Sequence, residues 1–181
     1  SIVRRFIGER LYQGWYRLTF NTIAVVTFLP VLFYLAHDRG QIIWEVQGGG
    51  ALFLQGVQLV GLIGLVVSLL QIDGMRFLGI RQTFAWLNGE PLPLPSEPLT
   101  TSGVYALVRH PLYFFSLLFI WAIPTMYSAW LGFCVGSTVY FMIGSLFEEQ
   151  KLRRDFGAAY ESYQQQVSWL IPFLRLPSFL R

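Results

Sequence analysis

Thirty-six consecutive residues, Leu112 to Phe147, carry no charged side chain. One membrane-crossing helix needs about 20 mostly apolar residues. The run is too long for one crossing and long enough for two short ones. The stretch Ile123-Pro124-Thr125-Met126-Tyr127-Ser128 is its break, because proline disfavours helix at the residue before it and has no backbone donor. The expectation is a tight helical hairpin with spans near 112–124 and 129–147. Two other apolar stretches reach span length, Leu18 to Ala36 and Ala51 to Leu70. The expected fold class is therefore all-α, a polytopic membrane helical bundle of four spans with a C-terminal helical hairpin and a cytoplasmic helix near 147–166. Only 13% of the 181 residues are charged, where soluble domains carry about 25%. One domain over 1–181 is the natural count at this length.

The basic residues orient the bundle. Arg4, Arg5, Arg10 and Arg17 precede the first span, and only Arg39 lies between the first two. Arg76, Arg81 and Arg109 lie between the second and third, and Lys151, Arg153, Arg154, Arg175 and Arg181 follow the fourth. Four spans put 12 of the 13 basic residues on one side. By the positive-inside rule that side is cytoplasmic, with both termini. In a bacterial source the membrane would be the inner one. The chain starts at a serine, so a further helix upstream in a longer protein is also compatible. Basic residues that flank apolar runs, rather than cluster on a wet face, argue against a nucleic-acid partner. A single cysteine, Cys134, and two distant histidines, His37 and His110, offer no metal-ligand spacing.

Small residues mark packing faces. Gly61 and Gly64 do so on the second span and Gly132 and Gly136 on the fourth, the latter pair suiting contact within one chain or between two, so oligomeric state stays open. The connection Gln71 to Arg109 is long and rich in glycine and proline, and such loops are usually functional or disordered. The segment from Trp169 to Arg181 mixes Trp, Phe, Leu and Arg in the manner of a membrane interface.

Two clusters carry chemistry. Gly103-Val-Tyr105-Ala-Leu-Val-Arg109-His110-Pro111-Leu-Tyr113 runs into the third span, and Glu148-Glu149 closes the fourth. The hairpin brings both to the same depth. Each has a bland reading: Arg109 as a snorkelling anchor, Pro111 as a helix start, Glu148 and Glu149 as partners of Lys151 and Arg153 along one helix. Together they read otherwise, since ionisable residues at a bundle's membrane edge tend to mark sites.

The pattern Gly103-x-Tyr105-x3-Arg109-His110-Pro111-x-Tyr113, a hairpin, then Glu148-Glu149-x2-Leu152-x3-Phe156-Gly157-x2-Tyr160-x2-Tyr163 resembles the C-terminal half of the isoprenylcysteine carboxyl methyltransferase and phospholipid methyltransferase superfamily. The resemblance covers residues 99–173. It implies a membrane-embedded methyltransferase that uses S-adenosylmethionine, with that segment as the cofactor-binding catalytic half, its pocket open to the cytoplasm and a lipophilic substrate arriving from the bilayer; the acceptor stays open among a lipophilic or small thiol, carboxylate or amine. It implies Arg109 and Glu148 or Glu149 as residues needed for turnover. Within that frame His110 would meet the cofactor carboxylate, and Glu148 or Glu149 its ammonium or ribose. Tyr105, Tyr113 and Tyr160 would flank the sulfonium. Leu107 and Val108, with Trp169–Ile171, would border the adenine, and Pro111 belongs to the cofactor-binding set. A steroid-reductase-like enzyme using NADPH and a non-catalytic membrane protein are the competing readings.

Overall fold

The computed structural model describes residues 8–174. Among the described residues the elements follow in order: α1 (Glu9–His37), β1 (Ile42–Glu45), α2 (Gly49–Leu70), α3 (Gly74–Leu78), α4 (Ile80–Leu87), a 3-10 turn (Gly103–Ala106), α5 (Pro111–Trp121), β2 (Thr125–Tyr127), α6 (Ser128–Phe156) and α7 (Ala158–Gln166). The chain gathers into two compact units. One comprises Ser1–His37 and Ile72–Pro98, the other Asp38–Gln71 and Leu99–Arg181.

Three helices, α1, α2 and α6, are long and apolar enough to cross a membrane. Their large apolar side chains face outward: Val25 and Phe33 on α1, Leu52 and Phe53 on α2, and Phe147 on α6 are each more than half exposed. Hydrocarbon is the solvent that accommodates such faces. The fourth apolar helix, α5, has 11 residues, about 16 Å at 1.5 Å per residue, so it is shorter than the expected 112–124.

The chain is mostly helical, as expected, and two short strands join the helices. The chain beyond α5 is extended, and β2 pairs antiparallel with β1, with Trp44 opposite Met126 and a register irregularity between Ile42 and Trp44. Ile42-Ile43-Trp44 supplies the β-branched and aromatic residues that suit a strand, and Pro124 ends the helix before it. The Val46 amide donates to the Pro124 carbonyl at 3.0 Å and the Ser128 amide to the Gln41 carbonyl at 2.8 Å. The Arg39 guanidinium lies 5.4 Å from the centre of the Tyr127 ring.

In the second unit α2 and α5 pack antiparallel. A Cβ on Gly61 would stand 2.9 Å from the Phe119 amide nitrogen and 3.1 Å from the Phe115 carbonyl. Gly64 is covered by the Phe115 ring. The glycines therefore admit the neighbouring helix to backbone contact, as their spacing predicts. Gly132 and Gly136 have nothing within 4 Å of such a Cβ. Their packing role finds no partner among the described residues.

In the first unit α1 lies on α4. Gly14 receives Trp86, Thr83 Oγ1 donates to the Gly14 carbonyl at 2.9 Å, and Asn21 Nδ2 donates to the carbonyls of Phe77 and Leu78 at 3.1 and 3.0 Å. The long connection read as irregular thus contains two helices, α3 and α4, and both pack on α1.

The polar helix expected to run on from the last span is broken at Gly157, whose φ of +53° suits glycine. The chain turns there and α7 begins. Arg4, Arg5, Arg175 and Arg181, with the end of the interfacial segment, lie outside the described residues.

Candidate functional site

Arg109 and His110 stand at the entrance to α5, where Pro111 occupies the first helical turn. Their register is set by backbone. Val108 bridges to Ser168 in parallel, and the Arg109 amide donates to the Ser168 carbonyl at 2.9 Å. Gln71, the residue after α2, accepts the Val104 amide through its side-chain oxygen at 3.0 Å, and the 3-10 turn leads from there to Arg109.

Glu149 collects the cations. Arg109 Nε lies 2.7 Å and His110 Nε2 3.2 Å from the same Glu149 Oε1. The other oxygen accepts from Gln164 Nε2. Arg109, His110 and Glu149 are 7%, 4% and 6% exposed, so each charge depends on its neighbours for the stabilisation that water would give. The Arg109 Nη1 donates to the carbonyls of Gln164 and Val167 at 3.0 and 3.3 Å. Those carbonyls end α7, and a cation there satisfies acceptors that have no partner inside the helix.

His110 has a carboxylate at each ring nitrogen. Nδ1 is 3.3 Å from Glu148 Oε2, while Nε2 faces Glu149. Only the imidazolium donates from both nitrogens. Burial lowers the pKa of His110, but the two glutamates outweigh it and raise the value above the ordinary one. A raised pKa stabilises the folded state fully below the unfolded value, about 6.5, and that contribution is lost as pH rises through the folded value. The stability gap between the wild-type chain and His110→Gln is therefore expected to be largest near pH 6 and to shrink as pH rises. Thermal unfolding in detergent across that range measures it, and a gap that grew with pH would show a neutral His110.

The Glu148 side chain is 46% exposed. Around it stand aromatic groups. His110 and Tyr113 stack with centres 5.5 Å apart, and Tyr113 stacks on Phe141 at 4.9 Å. Burial and the Glu148 charge push the Tyr105 phenol up to about 12, so it stays neutral. Tyr163 Oη donates to the Tyr105 carbonyl at 2.6 Å. Tyr160 is buried at 1% exposure, and its hydroxyl has no hydrogen-bond partner. Burial, and then the Glu149 charge, raise its pKa.

The structure thus brings together Tyr105, Arg109, His110, Tyr113, Glu148, Glu149 and Tyr160. Val108 and Pro111 are buried beneath them, while Leu107 is 42% exposed. Sequence reasoning missed Gln164 and Tyr163 as site residues. Gln164 also accepts from Arg153 Nε at 3.0 Å, and so joins Arg153 to Glu149. Its signal was positional: 160, 163 and 164 share one face of a helix, and all three are buried.

An apolar cavity of about 540 Å³ adjoins α5 and α6, walled by Phe114, Leu118, Met142 and Leu170 among others. The Trp169 indole nitrogen in its wall is buried without a partner.

A family model described as phospholipid methyltransferase matches residues 56–159. The chain is 34% identical over 171 residues to methanethiol S-methyltransferase 2 of Bradyrhizobium diazoefficiens, covering 94% of this chain and 65% of that protein. It is 35% identical over 176 residues to a methanethiol S-methyltransferase of a Pseudomonas species, covering 93% and 62%. A Mycobacterium tuberculosis protein of the same name is 28% identical over 158 residues, covering 87% and 64%. The chain therefore spans less than two thirds of the length of these relatives. No solved structure gives a significant match.

Proposed function

The chain belongs to the phospholipid methyltransferase family, and from that premise we propose that it is an integral membrane methyltransferase that uses S-adenosylmethionine, with a small thiol as acceptor. The observation that carries the reading is the half-exposed Glu148 beside a buried Arg109–His110–Glu149 cluster. The residues suit the cofactor's chemistry. Glu148 is a carboxylate for its ammonium, the Tyr105 and Tyr113 rings are faces for its sulfonium, and the unpartnered Tyr160 hydroxyl is a donor still to be satisfied. When bound, S-adenosylmethionine supplies an electrophilic methyl group.

The chain's own part is positioning. Methyl transfer is an in-line displacement, and alignment is its main requirement. Glu149 is fixed by three donors, and it holds Arg109 and His110 in turn. His110 is then rigid and offers its Nδ1 proton to Glu148, which sets the direction of that carboxylate. A thiolate acceptor needs no base in the site beyond its own ionisation. An amine acceptor would have to lose a proton first, with Glu148 the accessible base. The acceptor class rests on the names of the relatives. Residues 99–173 would form the cofactor-binding half.

Four crossings suit the fold. In that topology α5 is a short crossing completed by extended chain, with the site and both ends on the cytoplasmic face where 12 of 13 basic residues fall. The β1–β2 pair supports it, because both strands then lie on the opposite face. Calorimetry with S-adenosylmethionine, S-adenosylhomocysteine and NADPH tests the cofactor. Binding of the first two is expected. NADPH binding in their place would favour a reductase, and no binding by folded protein would favour a non-catalytic role.

A further inference from the structure

A second cavity, of about 290 Å³, lies within the first unit, away in sequence from every residue of the cluster above. Its walls include Tyr16, Arg17, Arg76, Gln82 and Pro93. Gln82 is 8% exposed. Its Nε2 donates to the Arg76 carbonyl at 3.0 Å, but its Oε1 is buried with no hydrogen-bond partner. A buried acceptor left unmatched is costly, and a ligand donor would satisfy it.

The charge of the wall is also uneven. Arg76 is paired with Glu97 at 3.0 Å and donates to the Leu94 carbonyl at 3.2 Å. Arg17 donates to the Arg76 carbonyl at 3.3 Å, and among the described residues it has no carboxylate partner. Two guanidiniums against one carboxylate leave one positive charge, the complement of a singly charged anion. Arg17 immediately precedes the apolar stretch that begins at Leu18. In a membrane helix that position is the depth of lipid head groups, where basic pockets take phosphate.

We infer that this cavity binds a singly charged phosphate ester whose polar end carries a hydroxyl or amine hydrogen, the phosphate meeting Arg17 and the hydrogen meeting Gln82 Oε1. The ligand is held there and undergoes no reaction. The inference uses the membrane reading for the depth of Arg17 and does not depend on methyl transfer.

The test compares lipids by native mass spectrometry and thermal shift of the delipidated chain in detergent. Dioleoylphosphatidylglycerol carries the charge and the hydroxyl hydrogens, whereas dioleoylphosphatidylmethanol carries the charge alone. The first should bind about tenfold tighter, and Gln82→Leu should erase that difference. Arg17→Gln should weaken both lipids about tenfold or more, and Arg17→Lys should retain most of the affinity. Competition by glycerophosphoglycerol, the soluble diester with the same single charge and hydroxyl hydrogens, at similar concentration would identify a soluble ester as the natural source, and its failure to compete would identify the lipid. Equal affinity for the two lipids, or affinity unchanged in Arg17→Gln and Gln82→Leu, would overturn the site. Circular dichroism confirms that each variant is helical, and S-adenosylhomocysteine binding on the same samples separates failure here from failure of the proposed function.

Discussion

Glu149→Ala is expected to abolish measurable binding of S-adenosylhomocysteine and to cost about 3–5 kcal/mol of stability, the range for a buried ion pair that loses one partner. The size follows from what the carboxylate holds. One of its oxygens takes both Arg109 Nε and His110 Nε2, and the other takes the Gln164 amide. Without it a guanidinium and an imidazole stay buried, and only the imidazole can shed its charge. Glu149→Gln keeps the volume and one acceptor, so its stability should fall between the two. Calorimetry gives the affinity and chemical unfolding in detergent gives the stability. Unchanged affinity in Glu149→Ala would place the cofactor elsewhere.

Arg109→Met should lower turnover of a thiol acceptor by about a hundredfold or more, the loss that follows a displacement of roughly 1 Å in an aligned site. Arg109 joins three pieces of chain, its own segment before α5, α6, and the end of α7 with the residues after it. It bonds Glu149 on α6, the carbonyls of Gln164 and Val167, and, through its own amide, Ser168. Removing the guanidinium leaves the end of α7 tied to the glutamate by Gln164 alone. Arg109→Lys is not expected to restore activity, because an ammonium is a compact charge without the planar fork that reaches a carboxylate and two carbonyls at once. Steady-state assays of both variants, with cofactor affinity measured separately, check this. Near-normal turnover in Arg109→Lys would reduce Arg109 to a simple counter-charge for Glu149.

The juxtaposition at the centre of these predictions was legible in the residues. An uncharged run of double length with Pro124 near its middle suggests a fold-back, and the structure sets Arg109 and His110 against Glu148 and Glu149. The partners that complete the cluster were not legible. A glutamine acquires its role here only because Gly157 turns the chain and lays α7 beside α6, and no local pattern announces that Gln164 will meet a residue 15 positions earlier. The carbonyls of Val167 and Ser168 carry no signal at all, since every residue has one. The strands illustrate the same division. Ile42-Ile43-Trp44 has strand character, but its partner lies some eighty residues on, and pairing across such a distance is set by the packing of α2 on α5.

The break at Gly157 has a consequence for the order of synthesis. Along the chain Arg109, His110 and the two glutamates come before Gln164, Val167 and Ser168. Until α7 emerges and turns back, the Arg109 guanidinium lacks two of its acceptors and Glu149 lacks one of its donors. The ion cluster is thus completed only when α7 has turned back beside α6. A chain ending near Gly157 would keep the contacts of Glu149 with Arg109 and His110 but lack the three that come from α7 and the residues after it.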